Sequence, residues 1–250
     1  MVKNLYTSTV LKAFDILNCF QDGRQELGIK EISEKIGMPQ SSIYHIVSSL
    51  EFIGLLFQNG ETRKYRVGPH FIEMALKSKC LSSYQQIAAK YMKLLEAEVG
   101  ENINLGISSG ESMIMIHREE CSHVLRPNFM LNTPYPAYRT GMGMVMLAEK
   151  SDASLEWIYE NNRSDFTVSF QEFLQTIEGV RKAGYAIDDQ LFCSGLRCVA
   201  VPVKGPGGQT LFAMSVSGPA SRISDEICQE YVQLLLKYAG MIANDIQAME

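Results

Sequence analysis

Hydrophobic and polar positions repeat at helical spacing through residues 29–50, where the pattern predicts two short helices joined by a sharp turn. The residues expected to face inward are Ile32, Ile36, Met38, Ile43 and Ile46. Gly37 lies where the chain must leave the first helix with a positive φ angle, which glycine adopts at little steric cost. The pattern is that of a helix-turn-helix.

The second of these helices has two different faces. Its apolar face carries Ile43, Ile46, Val47 and Leu50, and its opposite face carries Ser41, Tyr44, His45 and Ser48. Lys and Glu would dominate a merely solvated face, whereas hydroxyl, phenol and imidazole groups suit base edges and phosphates in a major groove. With the adjacent Gln40 and Ser42, these polar residues are the candidate DNA contacts.

A β-hairpin is predicted next, with strands over 55–58 and 62–67. Between them stands Asn59-Gly60, the strongest short-range hairpin signal. The returning strand carries the basic residues Arg63, Lys64 and Arg66. Such a wing would place Arg63 and Lys64 beside phosphates at the edge of the groove.

Ahead of the motif, a first helix over 6–20 is expected to pack through Val10, Phe14 and Leu17. A generic helical hairpin with a charged loop is the alternative interpretation of the whole segment. The inward positions, the turn glycine, the polar outer face and the wing agree in favouring a winged helix-turn-helix over residues 1–68.

Residues 69–83 are predicted to form a linker helix and hinge. A short amphipathic helix is expected there, built on Phe71, Ile72, Ala75 and Leu76. Ser82 and Ser83 are candidate N-caps for a helix over 84–99. That helix should face inward through Ile87, Tyr91, Leu94 and Leu95.

The pattern changes after residue 100. Strands are predicted over 103–108, 113–118, 185–188, 198–204 and 210–217, and helices over 142–148, 153–161, 169–183 and 224–249. Ser224 is expected to cap the last helix. A few antiparallel strands flanked by helices make residues 84–250 an α+β domain.

Composition sets the outer limits. With 250 residues and 46% hydrophobic content, the chain is long enough for one small and one larger domain. No apolar run approaches the roughly 20 residues of a membrane-spanning helix, and Lys12 and Asp15 interrupt the first apolar stretch. The six cysteines are scattered without a CxxC pair, so reduced thiols and a cytoplasmic location, with no membrane partner, are expected.

Charge is divided unevenly between the two halves. Residues 1–70 hold eight Lys/Arg and seven Asp/Glu, a net of +1, and the remainder holds fifteen and twenty-one, a net of −6, which gives the total of −5. A weakly basic DNA-binding segment should have modest non-specific affinity for DNA. Useful occupancy then requires two or more copies acting together, which predicts a dimer.

Residues after 135 suggest a small-molecule pocket. Thr140, Gly141, Met142 and Gly143 open a predicted helix, where unpaired backbone N–H groups favour a carboxylate. Ser215 and Ser217 alternate along a strand and therefore face the same side. Asp188 would repel an anion unless it accepts a bond from a ligand hydroxyl or amine, which suggests a ligand with both a carboxylate and a donor.

Plainer interpretations remain for these pocket residues. Asp188 and the two serines could serve only turn and strand hydrogen bonds, and Cys198 among valines and alanine is typical of a core residue.

Catalytic and metal sites are not predicted. Gly106-Ile107-Ser108-Ser109-Gly110 matches GxSxG, but a nucleophile elbow needs a strand-to-helix turn and this segment leads into a second strand. The spacing of His117, Cys121 and His123 fits no common zinc site. Neither GxxxxGK nor a strand-linked GxGxxG occurs, so no cofactor is expected.

Four segments of the chain resemble the IclR-type bacterial transcriptional regulators. They are GENINLGISSGESMIMIHREE at 100–120, PAYRTGMGMVMLA at 136–148, VRKAGYAIDDQLFCSGLRCVAVPV at 180–203 and SVSGPASRIS at 215–224. The resemblance implies a winged helix joined by a linker helix to a GAF-like effector-binding domain, working as a dimer or dimer of dimers. It implies effectors that are small organic acids or aromatic and sugar-derived metabolites. It places the effector pocket at Gly141, Met142, Asp188, Cys198, Ser215 and Ser217.

Three functions from different classes follow. The leading one is an effector-responsive regulator that binds palindromic operator DNA as a dimer, with effector binding transmitted through the linker. The second is a metabolite sensor whose winged helix mediates dimerisation instead of DNA contact. The third is a hydrolase using Ser108.

Overall fold

The computed structural model describes residues 7–20, 26–77 and 79–249. The chain divides into two compact units, Met1–Leu81 and Ser82–Glu250. Within the described ranges, no helix combines the length and the hydrophobicity that a bilayer crossing requires.

The first unit is a winged helix-turn-helix, as the sequence predicts. Its elements are α1 (Ser8–Asn18), α2 (Ile29–Ile36), α3 (Gln40–Phe52), β1 (Leu56–Gln58), β2 (Tyr65–Val67) and α4 (His70–Lys77). Its buried core consists of Ile16, Phe20, Leu27, Ile32, Ile43, Val47, Leu50, Leu56 and Tyr65. All three helices of the motif and both strands contribute to this core, which holds α3 with its polar face outward.

The turn between α2 and α3 forms as predicted. Gly37 ends α2 with φ 74°, and its N–H donates to the Ser33 carbonyl at 2.9 Å. The Ser33 hydroxyl donates to the carbonyl of Met38 at 2.5 Å, which closes the turn from the other side. Glycine is required at position 37 because a side chain there would be strained at this φ angle.

The packing face predicted for α1 is wrong in part. Val10 and Phe14 are 54% and 61% exposed, whereas Ile16 and Phe20 are buried and Leu17 is half-buried. Two apolar stripes run along this helix at equally good helical spacing, so periodicity alone could not choose between them. The fit against α3 selects the stripe that contains Ile16.

The wing is a hairpin around Asn59-Gly60 as predicted, but its returning strand begins at Tyr65 and not at residue 62. Residues 59–64 connect the strands, the left-handed position is Arg63 with φ 57°, and the Asn59 N–H donates to the carbonyl of Lys64. The Asn59 side-chain oxygen accepts from the Glu61 N–H at 2.9 Å. This local side-chain bond competes with the tight turn and prevails here.

The predicted cap at Ser82 and Ser83 is also wrong, because α5 (Lys79–Val99) has already begun at Lys79. Its buried stripe is Tyr84, Ala88, Met92 and Leu95. Leu94, predicted to face inward, is 52% exposed. The predicted Ile87 and Tyr91 are half-buried at the edge of this stripe.

The second unit is α+β, as predicted. Its further elements are β3 (Asn102–Ser109), β4 (Ser112–Glu119), β5 (Pro134–Pro136), α6 (Gly141–Leu147), α7 (Asp152–Asn161), α8 (Phe170–Ala183), β6 (Ala186–Asp189), β7 (Leu196–Lys204), β8 (Thr210–Pro219) and α9 (Asp225–Gln247). The six strands form an antiparallel sheet in the order β5-β4-β3-β8-β7-β6. The short edge strand β5 was not predicted, since its two prolines argue against a strand except at an edge. Ser224 caps α9 as expected.

The sheet separates two cores. Side chains such as Val199, Val201 and Val203 face α5 and α9, and the intervening Cys198 and Ala200 face the opposite side, toward α6. Successive residues of a strand point to opposite faces, so one run of apolar sequence serves two layers. The helices α6, α7 and α8 form a second core on the α6 side.

Close packing of α6 predicts an unequal response to alanine at two glycines. A Cβ at Gly143 would lie 2.1 Å from the carbonyl oxygen of Ala137, whereas a Cβ at Gly179 in α8 would meet nothing within 4 Å. Gly143→Ala should therefore lower the free energy of unfolding by about 3 kcal/mol or more. Gly179→Ala should raise it by roughly 0.5–1 kcal/mol, because alanine is the better helix former.

Urea unfolding followed by fluorescence of Trp157, the single tryptophan, reports on this unit. Equal midpoints for the two variants would contradict the close approach of α6 to Ala137.

Candidate functional site

The first candidate site is the outer face of α3. Gln40, Ser41, Tyr44 and His45 are exposed there, and Ser42 and Ser48 are half-buried. The rings of Tyr44 and His45 lie edge to face with centroids 6.0 Å apart. The buried Ile43, Val47 and Leu50 fix the rotation of α3, so these polar side chains project away from the core.

The basic residues of the wing differ in their surroundings. Arg63 is exposed near the end of the wing loop. Lys64 places its ammonium 2.8 Å from Oε1 of Glu31 in α2, and Arg66 lies over the ring of Phe57 at 5.2 Å. Arg63 is therefore open to an external phosphate, whereas Lys64 already has an internal carboxylate.

Two carboxylates, Glu31 in α2 and Glu26 in the segment before it, bond to the wing. Glu31 accepts from the Gly28 N–H at 2.6 Å, and this bond together with Lys64 holds the pKa of Glu31 below its usual value. Glu26 accepts from the Asn59 amide at 2.9 Å and from the Thr62 hydroxyl at 2.8 Å. These bonds lower the pKa of Glu26. Sequence reasoning missed Glu26 because its partners lie more than thirty positions away.

The second candidate site is a small cavity of about 20 Å³ in the second unit, between the sheet and α6. Its wall includes five of the six residues predicted for an effector pocket: Gly141, Met142, Asp188, Cys198 and Ser215. The sixth, Ser217, is buried beside the cavity wall and is bonded to Asn104. Sequence reasoning missed Asn104, Phe129, Tyr135 and Phe192, which also line the cavity.

Strand register explains why these residues meet. One row across four strands reads Asp188, Cys198, Ser217, Asn102. The next row reads Ala186, Ala200, Ser215, Asn104. Both rows lie on the face toward α6, and the two alanines leave room for the beginning of that helix. A Cβ on Gly141 would lie 3.5 Å from the Cβ atoms of both Asp188 and Ala200.

Thr140 caps the beginning of α6. The Thr140 hydroxyl accepts from the Gly143 N–H at 3.0 Å, and Thr140 is itself buried and lines the cavity. Gly143 does not contribute open backbone for a ligand, because Ala137 occupies the space beside its Cα.

Asp188 is the buried acid of this cavity, with 2% of its surface exposed. Its Oδ1 accepts from the backbone N–H groups of Leu191 at 2.8 Å and Phe192 at 3.3 Å. Burial raises the pKa of Asp188 to about 6, although the two N–H bonds oppose the shift. Burial, assisted by the neighbouring Asp188, raises the pKa of the Cys198 thiol to about 12, so the thiol stays protonated.

Asn104 and Asn102 stand two residues apart on the same face of β3. The Asn102 amide is paired at both ends, donating to the Pro127 carbonyl at 2.8 Å and accepting from the Cys121 N–H at 2.9 Å. The Asn104 nitrogen donates to the hydroxyls of Ser217 at 2.9 Å and Ser215 at 3.2 Å. Its side-chain oxygen is buried and has no hydrogen-bond partner among the described residues.

Three aromatic rings separate the cavity from a larger outer groove. Phe129, Tyr135 and Phe192 lie with centroids 5.2 to 5.7 Å apart, and each lines both spaces. The outer groove has a volume of about 470 Å³. The backbone bonds from Leu191 and Phe192 to Asp188 tie one of these rings to the buried carboxylate.

The residues considered for other chemistry have ordinary positions. Ser108 lies in β3, which continues into β4 through Gly110 at φ 63°, so the strand-to-helix geometry of a nucleophile elbow is not formed. His117 contacts Glu119 at 2.8 Å, and within the described part of the chain no three His, Cys, Asp or Glu side chains are placed to hold a metal. The described thiols, Cys19, Cys121, Cys193, Cys198 and Cys228, are free, and the side chain of Cys80 lies outside the described residues.

Comparison with known sequences gives matches over both units. A model of the IclR helix-turn-helix domain matches residues 9–60, and a model described as bacterial transcriptional regulator IclR C-terminal matches residues 82–244. The HTH-type transcriptional regulator KdgR of Escherichia coli (strain K12) is 30% identical over 241 residues. That alignment covers 94% of this chain and 91% of KdgR.

Solved structures show the same fold. An ICLR transcriptional regulator from Silicibacter sp. TM1040 superposes with a TM-score of 0.77 at 22% identity, over 96% of both chains. An IclR homolog from Microbacterium hydrocarbonoxydans, crystallised in complex with 4-hydroxybenzoate, has a TM-score of 0.68 at 17% identity, over 96% of this chain and 99% of that one. With its helix-turn-helix, its C-terminal effector domain and family matches across both, the chain belongs to the IclR family of bacterial transcriptional regulators.

Proposed function

We propose that this protein binds operator DNA as a homodimer or dimer of dimers in the cytoplasm, and that a small organic acid in the second unit regulates this binding. The observation that carries the proposal is the exposed polar face of α3, which apolar residues of the same helix hold outward. Residues Gln40, Ser41, Ser42, Tyr44, His45 and Ser48 contact the major groove, and Arg63 and Lys64 of the wing contact phosphates.

The weak net charge of the first unit supports the proposed homo-oligomer. A net of +1 over residues 1–70 provides little non-specific attraction to phosphate. In a dimer, two copies can bind adjacent half-sites about 34 Å apart along the duplex. Binding of the first copy then raises the effective concentration of the second copy at its half-site. Recognition by short polar side chains then supplies specificity, and pairing of subunits supplies affinity.

The cavity supports an effector with two kinds of polar group. The first N–H groups of α6, at Gly141 and Met142, have no acceptor within the helix, and the Thr140 hydroxyl lies beside them. These groups suit the carboxylate of an acid. The buried Asp188 suits a donor group of the same ligand, and Cys198 and Ser215 line the space between them. The 4-hydroxybenzoate held by the Microbacterium homolog carries both an acid and a hydroxyl.

Regulation requires that binding of the effector change the affinity of the protein for operator DNA. We assign this coupling to residues 69–83, which include α4 and the first turn of α5. Coupling between two sites is reciprocal, so operator DNA must change the affinity for the effector by the same factor.

The deciding experiment is fluorescence anisotropy of the purified full-length protein with DNA from upstream of its own gene and with scrambled DNA. A salt series and a panel of small organic acids accompany each titration. Preference for the upstream DNA, shifted by one acid, supports the proposal. Acid binding without any DNA preference would leave a metabolite sensor, and absence of both would overturn the proposal.

Removing the exposed charge of the wing should weaken binding to every DNA. Arg63→Ala loses one phosphate contact, so the slope of log K against log salt concentration should fall by about one unit for upstream and scrambled DNA alike. Lys182→Ala, on the exposed surface of α8, is the control and should leave the slope unchanged. An unchanged slope for Arg63→Ala would contradict the wing assignment.

Truncating the recognition face should act differently. Tyr44→Ala removes a side chain that is 55% exposed and keeps a good helix former, so the fold should be retained. Affinity for the upstream DNA should fall about 10- to 100-fold with little change for scrambled DNA, because base contacts and not phosphates are lost. Equal losses on both DNAs in the anisotropy titrations would show that Tyr44 does not read bases.

The buried acid predicts a pH-dependent stability. The folded-state pKa of Asp188, about 6, is raised above the ordinary value of 3.8, so the folded state holds the proton more tightly. Its stabilising contribution is present at low pH and is lost as pH rises through about 6. Asp188→Asn keeps an oxygen for the Leu191 and Phe192 N–H groups and removes the buried charge.

The Asp188→Asn variant should therefore exceed the wild type in unfolding free energy by up to about 3 kcal/mol above pH 7, with little difference near pH 4. Urea unfolding followed through Trp157 at several pH values measures this difference. Parallel pH profiles for the two proteins would contradict the assignment.

A further inference from the structure

One buried polar atom in the cavity is left without a partner, the side-chain oxygen of Asn104. Only 1% of the Asn104 surface is exposed. Buried polar atoms in native proteins are nearly always hydrogen-bonded, and an unpaired one destabilises the fold. An atom of this kind at the wall of a cavity therefore indicates a partner that the folded chain does not itself supply.

The orientation of this oxygen is held by two neighbours. Ser215 and Ser217 on the adjacent strand β8 both accept from the Asn104 nitrogen, which fixes the orientation of the amide beside the cavity that Asn104 lines. An amide held by two bonds loses little further freedom when a ligand arrives, so it is prepared for recognition.

A purely structural role is already performed by a neighbouring asparagine. Asn102, on the same face of β3, bonds Pro127 and Cys121 with the two ends of its amide and ties the segment after β4 to the sheet. Asn104 makes no such bridge, because both its bonds run to one strand. The contrast separates an asparagine that holds the fold from one that faces a ligand.

The chemistry of the cavity specifies the missing partner. Asp188 provides a carboxylate whose Oδ1 already accepts two backbone N–H groups, and Asn104 provides a neutral acceptor. Met113, Met115 and Met142 make other parts of the wall apolar. A hydroxyl group satisfies a neutral acceptor without adding a buried charge, whereas a second carboxylate offers no proton to donate.

We propose that Asn104 determines the specificity of the effector cavity, its side-chain oxygen accepting a hydrogen bond from a hydroxyl group of the effector. The effector is then a hydroxylated organic acid, and its counterpart lacking that hydroxyl binds poorly. This inference rests on the proposed function of the cavity. A site built to bond a hydroxyl rejects the analogue without it, because the buried acceptor is again left unpaired.

Calorimetric titration of the full-length protein, without DNA, tests the preference. The probes are acid pairs that differ in one hydroxyl: glycolate and acetate, lactate and propionate, 4-hydroxybenzoate and benzoate. In at least one pair the hydroxylated acid should bind to the wild type at least about tenfold more tightly. Equal binding of both members in all pairs, or binding of none of these acids, would overturn the proposal.

Two substitutions separate the acceptor from the volume of the side chain. Asn104→Leu keeps a similar volume without an acceptor, and the preference within the pair should fall to less than about threefold. Asn104→Asp keeps an acceptor oxygen and should retain the preference, although both acids bind more weakly because a second carboxylate repels them. A preference that survives in Asn104→Leu would assign the hydroxyl to another residue.

The outcomes remain distinct from those of the operator experiment. Loss of hydroxyl preference leaves DNA recognition by α3 untouched, and failure to bind operator DNA leaves the calorimetric preference intact. An Asn104→Leu protein that still prefers the upstream DNA but no longer distinguishes the paired acids is the result expected if both proposals hold.

Discussion

Alternation of side chains across the six-stranded sheet divides the second unit into one core against α5 and α9 and a second core on the α6 side, which contains the cavity. From Val199 to Val203 on β7 and from Phe212 to Val216 on β8, every second residue is a large apolar side chain in the core with α5 and α9. The small or polar Cys198, Ala200, Ala213 and Ser215 alternate with them and face α6. Successive side chains of a strand point to opposite faces, so a shift of the strand register by one residue would exchange the two sets of side chains. The cavity is thus a consequence of the same register that builds the core.

Groups on the cavity side lower the stability of the isolated fold. Asp188 is buried with a raised pKa, and the Asn104 oxygen is unpaired within the described structure. Better-packed apolar residues could replace both, as a buried polar site is often less stable than an apolar one. Local departures from optimal packing are typical of functional sites, where stability is exchanged for recognition. The tight contact of Gly143 with Ala137 shows that α6 is otherwise closely packed.

In the first unit, a small apolar core must hold exposed polar side chains in fixed positions. Ion pairs and hydrogen bonds from Glu26 and Glu31 to the wing contribute little stability at an exposed surface. Their effect is geometric, since they join the wing loop to the helical part of the unit. Lys64 takes part in this attachment and keeps 42% of its side-chain surface exposed, and the neighbouring Arg63 is exposed. The wing therefore presents both cations outward, and one of them also positions it.

The sequence by itself determined the features that depend on near neighbours. The helix-turn-helix, the left-handed Gly37, the Ser224 cap and the alternating strands all follow from spacing and local hydrogen bonding. Tertiary structure alone decided between the two apolar stripes of α1. Helical spacing allows either Phe14 or Ile16 to face the core, and packing against α3 buries Ile16. Tertiary structure alone also joined Asn104 to Ser215, 111 positions away. Local pattern carries no information about contacts made across such distances, and these contacts form the cavity wall.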